Sequence, residues 1–285
     1  MFASFQQSWE YTKLSLGILR RCHRLLIFPV LSGAAAILVS LSFAVPVSQS
    51  GAMDVWLADE GAPEEVAFYV TLFFFYFCNY FVIIFFNSAL VVATLRHIQG
   101  EDSSVGKALA TTSRLSPQIL GWAFVSAVVG VILNALERNR KIGRFVTSLI
   151  GTAWTALTYF VVPVIVVEKV GPVTAVRRSL EILKTNWGTA LAGNFSLGLI
   201  GFLIMLPVFL LAGVLVFVGL GAGTTAGAYL NIGLAVVLVI TALAANSALG
   251  NIFRTILYSY STGRELPPEV EAHRHAFQNA FVSNE

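Results

Sequence analysis

Six uncharged apolar stretches dictate what this chain can fold into. They are Leu25 to Val47, Val66 to Leu95, Ile119 to Leu136, Phe145 to Val167, Leu191 to Leu220 and Leu230 to Phe253, and none contains Asp, Glu, His, Lys or Arg. A hydrocarbon core about 30 Å thick is crossed by about 20 apolar residues in helical form. The stretches are continuously apolar, whereas the strands of a membrane barrel alternate with period two. They therefore predict helices. The third stretch is just long enough to span, and Pro207 inside the fifth predicts a kink, because proline removes a backbone hydrogen bond. A cleaved signal has an apolar run of only about 7–15 residues. The first stretch is longer and follows a long basic segment, so it reads as a retained helix.

Composition agrees. Charged residues make up 12% of the 285, against about 25% in a typical soluble domain. The 22 Phe exclude a disordered chain. The expected class is an all-α, polytopic integral membrane protein with six transmembrane helices in three hairpins. Residues 1–260 form one membrane domain, and 261–285 form a cytoplasmic tail with a short helix. In that tail Val270, Phe277 and Phe281 share one helical face after Pro267 and Pro268.

Orientation follows from the basic residues, which favour the cytoplasmic side. With both termini inside, fourteen of the 18 Lys and Arg are cytoplasmic. The loop Ser48 to Glu65 carries Asp54, Asp59, Glu60, Glu64 and Glu65 and no base, so it is assigned outside. The segment Glu137 to Arg144 holds the four remaining bases and disagrees. Either stretches three and four cross fully around a tolerated loop, or they form a re-entrant hairpin. Full crossing is preferred because the fourth stretch is long enough to span. The implied location is the cell (inner) membrane, multi-pass.

A unit repeats along the chain: an amphipathic cytoplasmic helix, then a pair of spanning helices. Val173, Val176, Leu180, Leu183 and Trp187 recur at helical spacing before the fifth stretch. Val105, Leu109, Thr112 and Leu115 precede the third, and Phe2, Phe5, Trp9 and Leu16 precede the first. Ser8 to Lys13 and Ser179 to Lys184 share Ser-x-Glu-x-x-Lys. Asn87-Ser88-Ala89-Leu90 recurs as Asn246-Ser247-Ala248-Leu249, each copy followed by an arginine, Arg96 or Arg254. The basic residues Arg20, Arg21, Arg24, Arg177, Arg178 and Lys184, with Trp187, are candidates for contact with anionic lipid headgroups or a protein partner. Basic residues that flank apolar segments favour lipid over nucleic acid.

Polar residues within the apolar stretches are the usual pointers to function. Here they include Asn79, Asn87, Thr155, Thr158, Tyr159, Asn194 and Asn246. They either line a polar pathway or make interhelical hydrogen bonds, and an amide at Asn87 or Asn246 is expected to face protein. The absence of ionisable groups at depth disfavours a proton-coupled carrier. Small residues at Ser32 to Ala36, Gly121, Ser126, Gly198 and Gly201 allow close helix contact, expected within the chain. Gly219 to Gly223 lacks the strand and lysine of a phosphate loop and reads as a turn. Cys22-His23 and His273-Arg274-His275 lack the converging ligands of a zinc site, and Cys22 and Cys78 do not form a disulfide framework. No cofactor, metal or catalytic constellation is expected.

The block from Thr158 to Glu168, with Gly171-Pro172, Ala175 to Ser179, Leu183-Lys184 and Trp187-Gly188, resembles a family of uncharacterised prokaryotic six-helix membrane proteins, defined only as a domain of unknown function. Leu25 to Gly33 looks like the same family. A looser likeness is to the membrane domain attached to some glycerophosphodiester phosphodiesterases, whose catalytic domain has no counterpart here. The resemblance implies a six-helix inner-membrane protein and supplies no catalytic residues. Three functional expectations follow. The first is a non-enzymatic protein that scaffolds a partner or organises lipid. The second is a transporter or channel for a small or lipid-like solute. The third, a lipid-modifying enzyme, is disfavoured by the lack of catalytic groups.

Overall fold

The computed structural model describes residues 2–51, 66–138, 144–185, 187–221 and 225–263. They fold into helices: α1 (Phe2–Arg21), a 3-10 turn (His23–Leu26), α2 (Ile27–Gln49), α3 (Val66–Ile98), α4 (Val105–Ser113), α5 (Ser116–Arg138), α6 (Arg144–Leu157), α7 (Val161–Glu168), α8 (Pro172–Thr185), α9 (Trp187–Gly221) and α10 (Thr225–Ser261). No strand occurs among the described residues. Six segments are long and apolar enough to cross a membrane: His23–Gln49, Val66–Ile98, Ser116–Glu137, Val146–Glu168, Gly201–Gly221 and Ala226–Ser261. The acidic loop, the centre of the basic loop at Asn139 to Lys141, and the tail lie outside the described residues.

The fourth apolar stretch departs from the continuous helix expected of it. The helix stops at Leu157, turns through Thr158, Tyr159 and Phe160, and restarts at Val161. Pro163 accounts for the break. It has no N–H to give the carbonyl of Tyr159, and its ring would press on that carbonyl in a continuous helix. In the first turn of a new helix the missing donor costs nothing. Helix α9, in contrast, runs unbroken through Pro207.

The chain divides into two compact units. One contains α1, the 3-10 turn, α9 and α10. The other contains most of α2 and α3, together with α4 to α8. In the first unit α9 lies along α10, and both pack on α1. Glycine sets the spacing of α9 and α10. A Cβ on Gly219 would stand 2.9 Å from Cβ of Asn231 and 3.3 Å from the Ala228 carbonyl oxygen. In the second unit α7 packs on α8, and α5 and α6 each contact α8. Gly121 of α5 receives the Pro172 ring, and Gly130 lies against Tyr76 and Tyr80 of α3. Trp122 and Trp154 stack with centroids 5.6 Å apart, joining α5 to α6.

Candidate functional site

The helices α1, α4 and α8 share a mode of burial that their apolar stripes announce only in part, through Thr112, Leu115 and Leu183. In α8 the buried residues are Ala175, Ser179, Ile182 and Leu183. Val173, at the head of the expected stripe, is 74% exposed, and Val176 and Leu180 are half-buried. In α4 Ala108 and Thr112 are buried, followed by Leu115. In α1 Thr12, Ser15 and Leu19 are buried, while Leu16 is half-buried. Each helix thus turns small or hydroxyl side chains inward and follows them with one or two aliphatic residues. Small residues win because they let the helix backbone approach its neighbour closely, as at other tight helix contacts. The side chains of Phe2, Phe5, Trp9 and Trp187 lie outside the described residues.

Ser179 has a specific task. Its hydroxyl donates to the Leu157 carbonyl at 2.8 Å and accepts the Phe160 N–H at 3.0 Å. The break between α6 and α7 frees both backbone groups, and buried backbone groups without partners are costly. One fully buried hydroxyl from α8 satisfies one group on each side of the break. Thr158 turns its hydroxyl back to the Trp154 carbonyl at 2.8 Å. Tyr159 is buried beside Phe160, with ring centroids 4.8 Å apart. Thr158 and Tyr159 therefore form the broken segment itself. The signal for this in the sequence was Pro163, together with the serine of Ser-x-Glu-x-x-Lys.

The asparagines separate. Asn79 is half-buried and donates its amide to the Phe75 carbonyl one turn back at 3.0 Å. Asn87 is half-buried and engaged; next to it Ser88 is fully buried. Asn246 is exposed. Its side-chain oxygen nevertheless occupies the space where Gly201 would carry a Cβ, at 2.5 Å. The Asn246 amide thus reaches past its own helix onto the bare backbone of α9. What the two Asn-Ser-Ala-Leu copies share is the burial of Ala89 and Leu90, and of Ala248 and Leu249. The Asn194 side chain lies outside the described residues.

The basic candidates divide by their partners. Arg178 contacts Glu168 and Glu181, each at 3.2 Å. Hydrogen bonds to Glu181, then Glu168, push its guanidinium pKa further up from an already high value. Its charge is spent on tying α7 to α8. Arg96 contacts Glu101 at 3.2 Å and donates to the Asp102 carbonyl. Arg20, Arg24, Arg177 and Lys184 are exposed and make no ion pair among the described residues; Arg21 is exposed and engaged. Cys22 and Cys78 form no disulfide. Among the described residues no three His, Cys, Asp or Glu side chains gather as metal ligands would.

No curated protein matches the sequence. The model of a family of unknown function, DUF6159, matches residues 66–265, from the start of α3 to just beyond α10. That match takes in the broken helix, Ser179 and both Asn-Ser-Ala-Leu copies, and covers more than two thirds of the chain. The chain belongs to this family of unknown function.

Proposed function

We propose that the protein is a non-enzymatic component of the cell membrane. It would scaffold a partner or organise lipid at the cytoplasmic face, with both termini on that side. The observation that carries this reading is the shared burial of α1, α4 and α8. Each anchors itself through small residues and leaves other faces, with cations such as Arg20, Arg177 and Lys184, directed outward. These helices would be the amphipathic members of the three repeated units, each leading into a hairpin of spanning helices. The likeness to the membrane domain of glycerophosphodiester phosphodiesterases would fit a lipid-facing role, and it brings no catalytic residue.

A second reading has one observation in its favour. A spanning segment broken at Thr158 to Phe160 is the kind of feature on which transporters build solute sites. A transporter or channel for a small or lipid-like solute would use that break.

Topology is tested in a variant lacking Cys22 and Cys78, with single cysteines introduced at Ser50, Gly223 or Ser103. An impermeant thiol reagent applied to intact cells should label the first two and spare the third. Labelling at Ser103 overturns the cytoplasmic-face reading. Function is tested by purification from native membrane with identification of co-purifying proteins and lipids. A stoichiometric protein or an enriched lipid class is the expected result. Solute flux in reconstituted vesicles, abolished by a substitution at Tyr159, would favour the transporter.

A further inference from the structure

The junction of α1, the 3-10 turn and α2 presents four basic residues in five positions. Arg20, Arg21, His23 and Arg24 are all exposed. The intervening Cys22 is buried, and Leu25 and Phe28 are fully buried. That buried line holds the junction in place from beneath. Its backbone is closed by Cys22 N–H to Ile18 at 2.9 Å and Leu25 N–H to Cys22 at 3.1 Å. The cations are therefore displayed by a fixed backbone rather than by a loose loop.

Two features tell what would cover them. First, Arg20 and Arg24 make no ion pair among the described residues, whereas Arg96 and Arg178 have carboxylate partners. Second, the next exposed residues are aliphatic. Ile27 and Val30 are 41% and 42% exposed and lie three positions apart in the first turn of α2. Guanidinium groups that lead directly into an exposed aliphatic strip match a ligand with an anionic head and an apolar chain. A soluble phosphate would need the arginines alone, and an acidic peptide would gain nothing from Ile27 and Val30.

We propose that this junction binds an anionic phospholipid. Arg20 and Arg24 take the phosphodiester, since guanidinium pairs with phosphate oxygens through parallel N–H bonds. Ile27 and Val30 lie along an acyl chain. The inference rests on the cytoplasmic-face reading above and narrows it to one lipid class and one place. Arg178, committed to Glu168 and Glu181, takes no part.

The test uses the full chain, purified in a neutral detergent. Added phosphatidylglycerol should raise the unfolding midpoint by about 3 °C or more through binding to the folded state. Phosphatidylcholine and inorganic phosphate should not. The Arg20→Gln, Arg24→Gln double variant should lose at least half of the phosphatidylglycerol shift, and Arg20→Lys, Arg24→Lys should keep part of it. Undiminished stabilisation of the Gln variant places the lipid elsewhere and overturns the site, while leaving the cytoplasmic-face reading intact. Equal stabilisation by inorganic phosphate overturns the lipid assignment. A photoreactive phosphatidylglycerol on the wild-type protein keeps the test decisive even where the Gln variant fails to fold. Cross-links within residues 18–31 support the site, and their absence there overturns it. Ser103 labelling from outside would instead remove the reading on which the proposal rests.

Discussion

The two halves of α10 are both apolar and sit in opposite surroundings. Tyr229 is 77% exposed and Val237 63%, whereas Ile252, Phe253, Ile256 and Leu257 are fully buried. Helix α3 repeats the contrast: Val66, Val70 and Phe74 are exposed, and Ala89 to Thr94 are buried. In both helices the buried end begins within an Asn-Ser-Ala-Leu copy and carries an arginine, Arg96 or Arg254. Hydrophobicity therefore does two jobs in one helix. At one end it fills a packed core. At the other it presents a surface that water would not tolerate over such an area, which suits acyl chains.

The largest expected difference between the two ends comes from deleting a large side chain. Phe253→Ala opens a cavity in the packed end and should cost about 3–5 kcal/mol. Val237→Ala removes only exposed surface and should stay within about 0.5 kcal/mol. Denaturant unfolding in detergent measures both, and equal effects would dissolve the distinction between the ends.

The next contrast lies within α8. Ser179→Ala strips the partner from the Phe160 N–H and the Leu157 carbonyl, and should cost about 1–3 kcal/mol. Val173→Ala, on the exposed side of the same helix, should be close to neutral. If Ser179→Ala unfolds at the wild-type midpoint, the break is not held by this hydroxyl.

Glycines in α9 sharpen the comparison by sign. Gly219→Ala drives a methyl into the Asn231 Cβ and the Ala228 backbone, neither of which can rotate away. It should destabilise by about 1–3 kcal/mol. Gly213 has nothing within 4 Å of a new Cβ. Gly213→Ala should therefore stabilise by up to about 1 kcal/mol through helix propensity. Opposite shifts in thermal midpoint are the expected result.

The smallest effect concerns the end of α7. Lys169 closes that helix in the left-handed region at φ 56°, a conformation natural to glycine. Lys169→Gly should stabilise by about 0.5 kcal/mol, the relieved clash being partly offset by the greater freedom of glycine in the unfolded chain. A lowered midpoint would show that the lysine side chain contributes contacts of its own.

The positions of six membrane-length segments were legible in the sequence, because long uncharged runs have few other stable solutions. The leading helices at α1, α4 and α8 were legible as well, from helical spacing alone. Their inward faces were legible only in part: Thr112, Leu115 and Leu183 of the expected stripes are buried, but Ala175 and Ser179 lay outside them. Periodicity ranks positions by hydrophobicity, and Val173 ranks above Ser179. The tight contact at the break instead selects a small hydroxyl that can reach two backbone groups at once. For the same reason Arg178 and Arg177 look alike as neighbours in sequence. Only the fold brings Glu168 to Arg178 and leaves Arg177 unpaired among the described residues. The sequence by itself determined which segments avoid water, since that depends on composition over about 20 residues. Which end of each segment meets protein, and which meets its surroundings, was decided by tertiary packing, because it depends on the shapes of neighbours far away in the chain.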